Sequence, residues 1–270
     1  MWLAMMAVLI GLGLSHAADI QSPLPGDKRW EQARADWAQG KAGEAKSAVE
    51  DLLKDYPSEP DLYLLLGMAK LRLRDPQGAI LSPRRAIALD PQHVQARTFL
   101  GWIELDVRGD ADAAIKEYGS VIELRPDLPE AYTNLAAAQK RRGNLQEAIL
   151  SLDKALELNG RFGTALNNRG WIYADQEKWP QARADFEEAL KIDPHDQGAL
   201  QGMALVLEKE RNYAAAQEIL ARLNSGSPNF VYWLNWGRIG LIRYWWVLLS
   251  IAIAIALRAR FKKARTETNG

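Results

Sequence analysis

The sequence has no cysteine and only three histidines among its 270 residues. The missing cysteines exclude disulfide bonds, zinc sites built on thiolates, cysteine nucleophiles and the lipidated cysteines of lipoproteins. Neither sign of charge is in excess, since 34 Lys and Arg balance 34 Asp and Glu. A general nucleic-acid binder would carry a basic surplus, so we expect no nucleic-acid partner.

Sequence motifs of the common catalytic sites are missing as well. There is no glycine-rich phosphate loop of the GxxxxGKS/T or GxGxxG type, no HExxH and no GxSxG. His93 and His195 each follow a proline and are expected in surface turns, far apart in the chain. We therefore predict no enzyme, no cofactor and no metal site.

The N-terminus is apolar but short. Residues 1–17 carry no Asp, Glu, Lys or Arg, and residues 1–14 are apolar or glycine throughout. As a helix this run reaches only about 21 Å, less than a bilayer core of about 30 Å. Ser15 and Ala17 supply small residues for a cut before Ala18. The pattern predicts a signal peptide over 1–17 followed by a linker over 18–25, with an uncleaved anchor or a buried helix as alternatives.

The C-terminus contains a second apolar stretch. Residues 244–257 carry no charge, and extension back to Ile239 gives about 28 Å of helix, enough to cross a bilayer. We predict a transmembrane helix over 239–257, preceded by an interfacial aromatic segment over 229–238; the alternative is a buried core helix with a basic tail. The side chains expected at the membrane interface are Trp233, Trp236, Arg243, Tyr244, Trp245 and Trp246.

Charge placement orients this helix. The tail 258–270 holds five basic residues against Glu267, so it carries about +4 and the rest of the chain about −4. Basic residues next to a span stay on the cytoplasmic side. We expect a bacterial-type cytoplasmic or thylakoid membrane, with the middle of the chain on the periplasmic or lumenal side. A cytoplasmic adaptor held by a tail anchor is the alternative. The predicted cytoplasmic stop consists of Arg258, Arg260, Lys262, Lys263 and Arg265.

The middle of the chain repeats with a period near 34 residues. Prolines recur at gaps of 34, 35, 68 and 34, and Gly160 stands at the midpoint of the long gap. An alanine lies 12 residues before each of these six positions, and a small residue lies 12 or 13 residues before that alanine. The prolines are Pro57, Pro91, Pro126, Pro194 and Pro228; the small residues are Ala33, Gly67, Gly101, Ala136, Gly170 and Ala204.

Each repeat predicts two antiparallel helices. The small residue and the alanine mark the point where the two backbones approach, and the proline ends the second helix. Asn144 followed by Glu147 predicts a helix N-cap, and Pro83 predicts a kink inside a second helix. The 35-residue gap places one extra residue near 107–111.

These residues resemble the tetratricopeptide repeat, a 34-residue helix–turn–helix unit. The resemblance implies an all-α solenoid over 26–228, with about five to six repeats, followed by the single transmembrane helix. The first unit is degenerate and is expected to cap the stack. The implied units are 26–57, 60–91, 94–126, 129–160, 163–194 and 197–228.

In proteins of this type the first helices line a concave groove that binds a peptide or a partner protein. Asparagine is disfavoured inside helices, so the asparagines on these helices are candidates for contacts with a peptide backbone. The two tryptophans in the set could instead pack between units, and Lys140 and Arg141 could be a solvated helix end. The predicted groove residues are Asn134, Lys140, Arg141, Asn167, Asn168, Trp171 and Trp102.

The sequence therefore favours a non-enzymatic, membrane-anchored scaffold. Its expected partners are a protein or peptide in the groove and the lipid bilayer around the C-terminal helix. Assembly or stabilisation of a membrane or envelope complex is the expected role. The alternatives are a substrate-recruiting subunit of an envelope maturation, export or biosynthesis machine, and an assembly factor of a photosynthetic membrane.

Overall fold

The computed structural model describes residue 24, residues 26–226 and residues 237–240. The predicted signal peptide, the six predicted interface residues and the basic tail lie outside these ranges. Of the predicted transmembrane helix, only Ile239 and Gly240 are described, within a helical segment over 237–240. Among the helices in the described ranges, none is long and apolar enough to cross a bilayer.

The described residues form twelve α-helices of nine or more residues and no strand. They pair into six hairpins, one for each predicted unit, which confirms the all-α repeat architecture. The helices are α1 Lys28–Ala38, α2 Ala42–Asp55, α3 Pro60–Arg72, α4 Pro76–Leu89, α5 Val94–Trp102, α6 Ala111–Leu124, α7 Pro129–Arg142, α8 Leu145–Leu158, α9 Gly163–Asp175, α10 Trp179–Ile192, α11 Gln197–Lys209 and α12 Tyr213–Gly226.

The chain divides into two compact units between Arg169 and Gly170, inside α9. In the first unit, each helix from α1 to α7 packs against the next one along the chain. The large apolar side chains of the first hairpins form one core, which includes Trp30, Leu65 and Phe99. In the second unit, α10 packs on α11 and α11 packs on α12. Packing between sequence neighbours is the expected behaviour of repeat proteins.

The small residues lie where helices approach closely, as predicted. A Cβ atom on Gly67 would lie 3.0 Å from Pro83 Cδ and 3.3 Å from the Ala79 carbonyl oxygen. A Cβ on Gly101 would lie 2.8 Å from the Tyr118 ring. These distances leave no room for a larger side chain. The helix α4 extends without a break from Pro76 through Pro83 to Leu89.

The extra residue of the third hairpin is absorbed by a π-helical turn. Residues Ile103–Val107 continue α5 with this wider geometry, and the Arg108 N–H donates to the Ile103 carbonyl oxygen at 3.1 Å. A π-turn holds one residue more than the α-helical turn that it replaces. The π-turn therefore overlaps the predicted 107–111 stretch at Val107.

A hydrogen bond across the junction between repeats recurs three times. Tyr63 Oη donates to the Pro57 carbonyl oxygen at 2.9 Å, and Tyr132 Oη donates to that of Pro126 at 3.2 Å. Arg97 Nε donates to the Pro91 carbonyl oxygen at 3.0 Å. In each case a side chain in the first helix of one unit donates to the carbonyl oxygen of the proline that ends the preceding unit, six residues earlier.

Two local predictions fared differently. Asn144 is the N-cap residue of α8, as predicted, although its side chain makes no capping hydrogen bond. His93 does not lie in an exposed turn, because its side chain is buried, with a relative exposure of 8%. Its Nδ1 accepts from the Ala96 N–H at 3.3 Å, and its Nε2 lies 3.1 Å from Asp61 Oδ1. An imidazole therefore caps α5, the role that aspartate fills for α4 and α6.

Candidate functional site

The candidate site is built on α7, the first helix of the fourth hairpin. Pro129 begins this helix and the left-handed Gly143, with φ of 96°, ends it. Ala131, Thr133, Ala136 and Ala138 are buried on the face that packs on neighbouring helices. The remaining positions carry the predicted groove residues of this helix: Asn134 and Lys140 are half-buried and Arg141 is exposed.

Asn134 holds a polar group that the described part of the chain leaves unsatisfied. Its Nδ2 atom is enclosed and has no hydrogen-bond partner among the described residues. An enclosed amide without a partner costs free energy, on the order of 1–3 kcal/mol. A buried donor of this kind calls for an explanation, and the carbonyl oxygen of a bound peptide is one acceptor that would satisfy it.

Arg141 forms an ion pair with a residue that the sequence did not single out. Its Nη2 donates to Asp106 Oδ1 at 2.8 Å, and both side chains are substantially exposed. Asp106 belongs to the π-turn of the preceding hairpin. The surface around Arg141 therefore presents both signs of charge, and it is not a purely cationic patch.

Asp106 is one of three charged residues at the same repeat position. Arg72, Asp106 and Arg141 each lie five residues after the small residue of their unit. The Arg72 guanidinium carbon lies 4.2 Å from the Trp37 ring centroid, and Nη1 donates to the Trp37 carbonyl oxygen at 2.8 Å. Burial lowers the pKa of Arg72. Charge of alternating sign thus follows the ends of the first helices in the second, third and fourth hairpins.

The asparagines of α9 continue the pattern by position. Asn168 lies two residues before Gly170, as Asn134 lies two residues before Ala136. Asn167 and Asn168 are both half-buried. The next residue, Arg169, donates to Asp153 Oδ1 at 2.5 Å, which fixes α9 to α8 at this point. The two asparagines therefore stand on a helix that is anchored beside them.

The predicted tryptophans pack against phenylalanines. Trp102 is 8% exposed and stacks on Phe99, with centroids 6.2 Å apart. Trp171, in the second compact unit, is half-buried and meets the edge of Phe186 at 5.5 Å. Each ring therefore makes a packing contact with a phenylalanine.

The sequence did not predict a second set of interacting residues, which lies around the π-turn. Glu104 is 1% exposed, and its carboxylate accepts from Arg84 Nη2 at 2.9 Å and from Arg108 Nη1 at 2.7 Å. The only sequence signal for this cluster was the 35-residue gap. Groups of three or more His, Asp or Glu side chains suited to a metal ion do not occur in the described ranges.

Family models match the chain over the hairpins. Three models described as "Tetratricopeptide repeat" match residues 31–93, 129–162 and 164–196, and one described as "TPR repeat" matches residues 108–143. Together these matches span more than half of the chain.

Known proteins share the repeats over part of the length. The Hsp70-Hsp90 organizing protein 3 of Arabidopsis thaliana is 30% identical over 96 residues, which are 36% of this chain and 17% of that protein. Tetratricopeptide repeat protein 36 of Homo sapiens is 34% identical over 88 residues, or 31% of this chain and 47% of that protein. The chain thus spans less than half the length of these relatives.

The crystal structure of MamA resembles the fold with a TM-score of 0.52 and 25% identity. The likeness covers 59% of this chain and 93% of the MamA chain.

Proposed function

Because this chain is a tetratricopeptide repeat protein, we propose that it is a non-enzymatic scaffold that binds an extended segment of a partner protein on the first helices of its hairpins. The observation that carries this proposal is the enclosed, unpartnered Nδ2 of Asn134 on α7. Asn168 holds the same repeat position on the next hairpin. Side-chain amides donate and accept at once, so two of them in register suit a peptide backbone.

The charges beside the asparagines indicate the composition of the partner. The Arg141–Asp106 pair offers one cation and one anion at a separation of 2.8 Å. An exposed pair of this kind contributes at most about 1 kcal/mol to the fold, so a partner can replace it at low cost. A segment with both acidic and basic side chains matches this edge better than a wholly acidic one.

Peptide display on the full chain in mild detergent tests the groove. Selected peptides are measured against the wild type and against Asn134→Ala with Asn168→Ala. Loss of two hydrogen bonds of about 1 kcal/mol each predicts binding weaker by roughly tenfold to thirtyfold. Leu150→Ala is the matched control, because Leu150 is 60% exposed and lies on α8, a second helix. Equal affinity for the double variant and the control would rule out this site.

We also propose that the chain is anchored by a single membrane helix within 239–257, with the hairpins on the periplasmic or lumenal side. Support comes from the uncharged run, its flanking tryptophans and the basic tail. Anchoring would confine scaffold and partner to one thin layer and raise their effective concentration, which suits assembly or stabilisation of a membrane complex.

Topology reporters test the anchor. A reporter fused after Pro228 is expected to report the outer side, and one fused after Gly270 the cytoplasmic side. The same side for both fusions would contradict a single span, and exchanged sides would contradict the orientation.

A further inference from the structure

The segment 237–240 is fixed to the last hairpin by two contacts, and the residue between them is buried. Arg238 Nη2 donates to Glu208 Oε2 at 2.6 Å, and this hydrogen bond raises the pKa of Arg238. Ile239 is 1% exposed. A Cβ atom on Gly240 would lie 2.9 Å from Gln217 Nε2, so the backbone of Gly240 passes close to α12.

These contacts place the segment at one end of the hairpin. Glu208 lies near the end of α11 and Gln217 in the second turn of α12. Between them is the turn that joins the two helices, residues 209–213. Ile239, which the sequence placed first in the membrane helix, is instead enclosed by protein, so any lipid-exposed part of that helix begins after it.

We propose that the 209–213 turn rests on the lipid headgroups. This inference depends on the membrane anchor proposed above and adds which part of the repeat domain faces the bilayer. Four residues lead from Gly240 to Tyr244, where the uncharged run begins, and a chain of four residues reaches at most about 14 Å. Gly240, and with it the start of α12 beside the 209–213 turn, therefore lies within about that distance of the membrane interface.

The side chains of this edge suit a headgroup layer. Its acids are already engaged, because Glu208 binds Arg238 and Glu210 binds Arg183 Nη1 at 2.8 Å. Lys209 and Arg211 are exposed, so the net charge that the turn presents to its surroundings is positive.

Aromatic rings stand next to these cations. Lys209 Nζ lies 5.6 Å from the Trp179 ring centroid, and Trp179 and Tyr213 are both half-buried. Long cationic side chains and amphipathic rings are the residues that favour a membrane–water interface.

The absence of cysteine makes a depth measurement direct. Ala214→Cys, at an exposed site beside the turn, and His195→Cys, at an exposed site beyond the other end of α11, each accept one fluorophore. The chain is reconstituted in phosphatidylethanolamine and phosphatidylglycerol vesicles with a headgroup-nitroxide lipid. Because the 13-residue α11 holds the two sites about 20 Å apart, we expect roughly half of the fluorescence to be lost at 214 and little at 195.

The ion pair between Arg238 and Glu208 allows a second test of the inference. Arg238→Glu opposes two carboxylates and is expected to reduce the quenching at 214 by about half, and Glu208→Arg in the same chain restores the pair and the quenching. Equal quenching at 214 and 195 in chains that float with the vesicles would overturn the inference and leave the anchor intact. Failure to float would overturn the anchor itself, and the inference with it.

Discussion

Glu104 and Arg84 join the third hairpin to the second through a carboxylate that is almost wholly buried. Arg84 Nη2 on α4 lies 2.9 Å from Glu104 Oε1 in the π-turn, and Arg108 takes the other oxygen. The carboxylate is 2% exposed, whereas the two guanidinium groups are about half exposed. The Glu104 carboxylate is therefore the buried partner, and the two arginines supply its hydrogen bonds.

Loss of both arginines should cost more than loss of two ordinary surface charges. Arg84→Met with Arg108→Met would leave a buried carboxylate without a partner, and we expect the free energy of unfolding to fall by about 3 kcal/mol. Urea denaturation followed by circular dichroism measures it. Arg85→Met is the matched control, since Arg85 is exposed on the same helix. A double variant as stable as that control would contradict the role of the pair.

Removal of the inserted residue should be tolerated. Deletion of Val107, which is 41% exposed, turns the Arg108-to-Ile103 bond into an ordinary α-helical one and leaves only a short turn before α6. We expect the free energy of unfolding to change by no more than about 1 kcal/mol.

Deletion of Ala137 from α7 is the control for this experiment. Ala137 is exposed, but the deletion rotates the buried residues that follow it by about 100° away from the core. This chain should lose its cooperative unfolding transition. Equal damage from the two deletions would show that the π-turn is not a neutral insertion.

The repeat architecture could be predicted because its cause is local and recurs. A glycine or alanine at each of six helix crossings and a proline at five of the six unit ends follow from steric limits that recur in every unit. The 35-residue gap indicated that this unit holds one extra residue. It placed that residue near 107–111 but could not assign it to the helix or to the turn, because either could absorb one residue.

The surroundings of the predicted site residues could be anticipated from the sequence only in part, for physical reasons. Helical periodicity places Trp102 on the inner face of α5, but it cannot tell whether neighbouring side chains cover that face, and here they do. The sequence did not single out Glu104, because its partner Arg84 lies on another hairpin. His93 followed a proline turn, and the capping use of an imidazole nitrogen has no sequence signature.

Replacement by alanine should have opposite effects on stability at Gly101 and Gly119, two glycines near Tyr118. Gly101→Ala would place a Cβ 2.8 Å from the buried Tyr118 ring, so we expect a loss of about 1–3 kcal/mol in the free energy of unfolding. Gly119 lies on α6 next to Tyr118, and nothing lies within 4 Å of a Cβ added there. Gly119→Ala should therefore stabilise the chain by about 0.5–1 kcal/mol through helix propensity. Urea unfolding of both variants reads the difference, and a stabilised Gly101→Ala would contradict the close approach.

Tyr118 should make stability depend on pH in the alkaline range. Burial, and secondarily the charge of Asp106, raises the pKa of its phenol far above the ordinary value of about 10. Above pH 10 the unfolded chain releases a proton that the folded chain keeps, so the unfolded state binds fewer protons and stability falls as pH rises. The expected contribution is a loss of about 1 kcal/mol between pH 9 and pH 11.

Tyr118→Phe isolates that contribution, because the other tyrosines and the lysines titrate alike in both chains. The free energy of unfolding should fall less between these two pH values in the variant than in the wild type, whatever their stabilities at neutral pH. Absorbance at the tyrosinate band gives a second reading, since one phenol should ionise only when the wild-type chain unfolds. Parallel stability curves for the two chains would mean that the Tyr118 hydroxyl reaches solvent, in conflict with its 1% exposure.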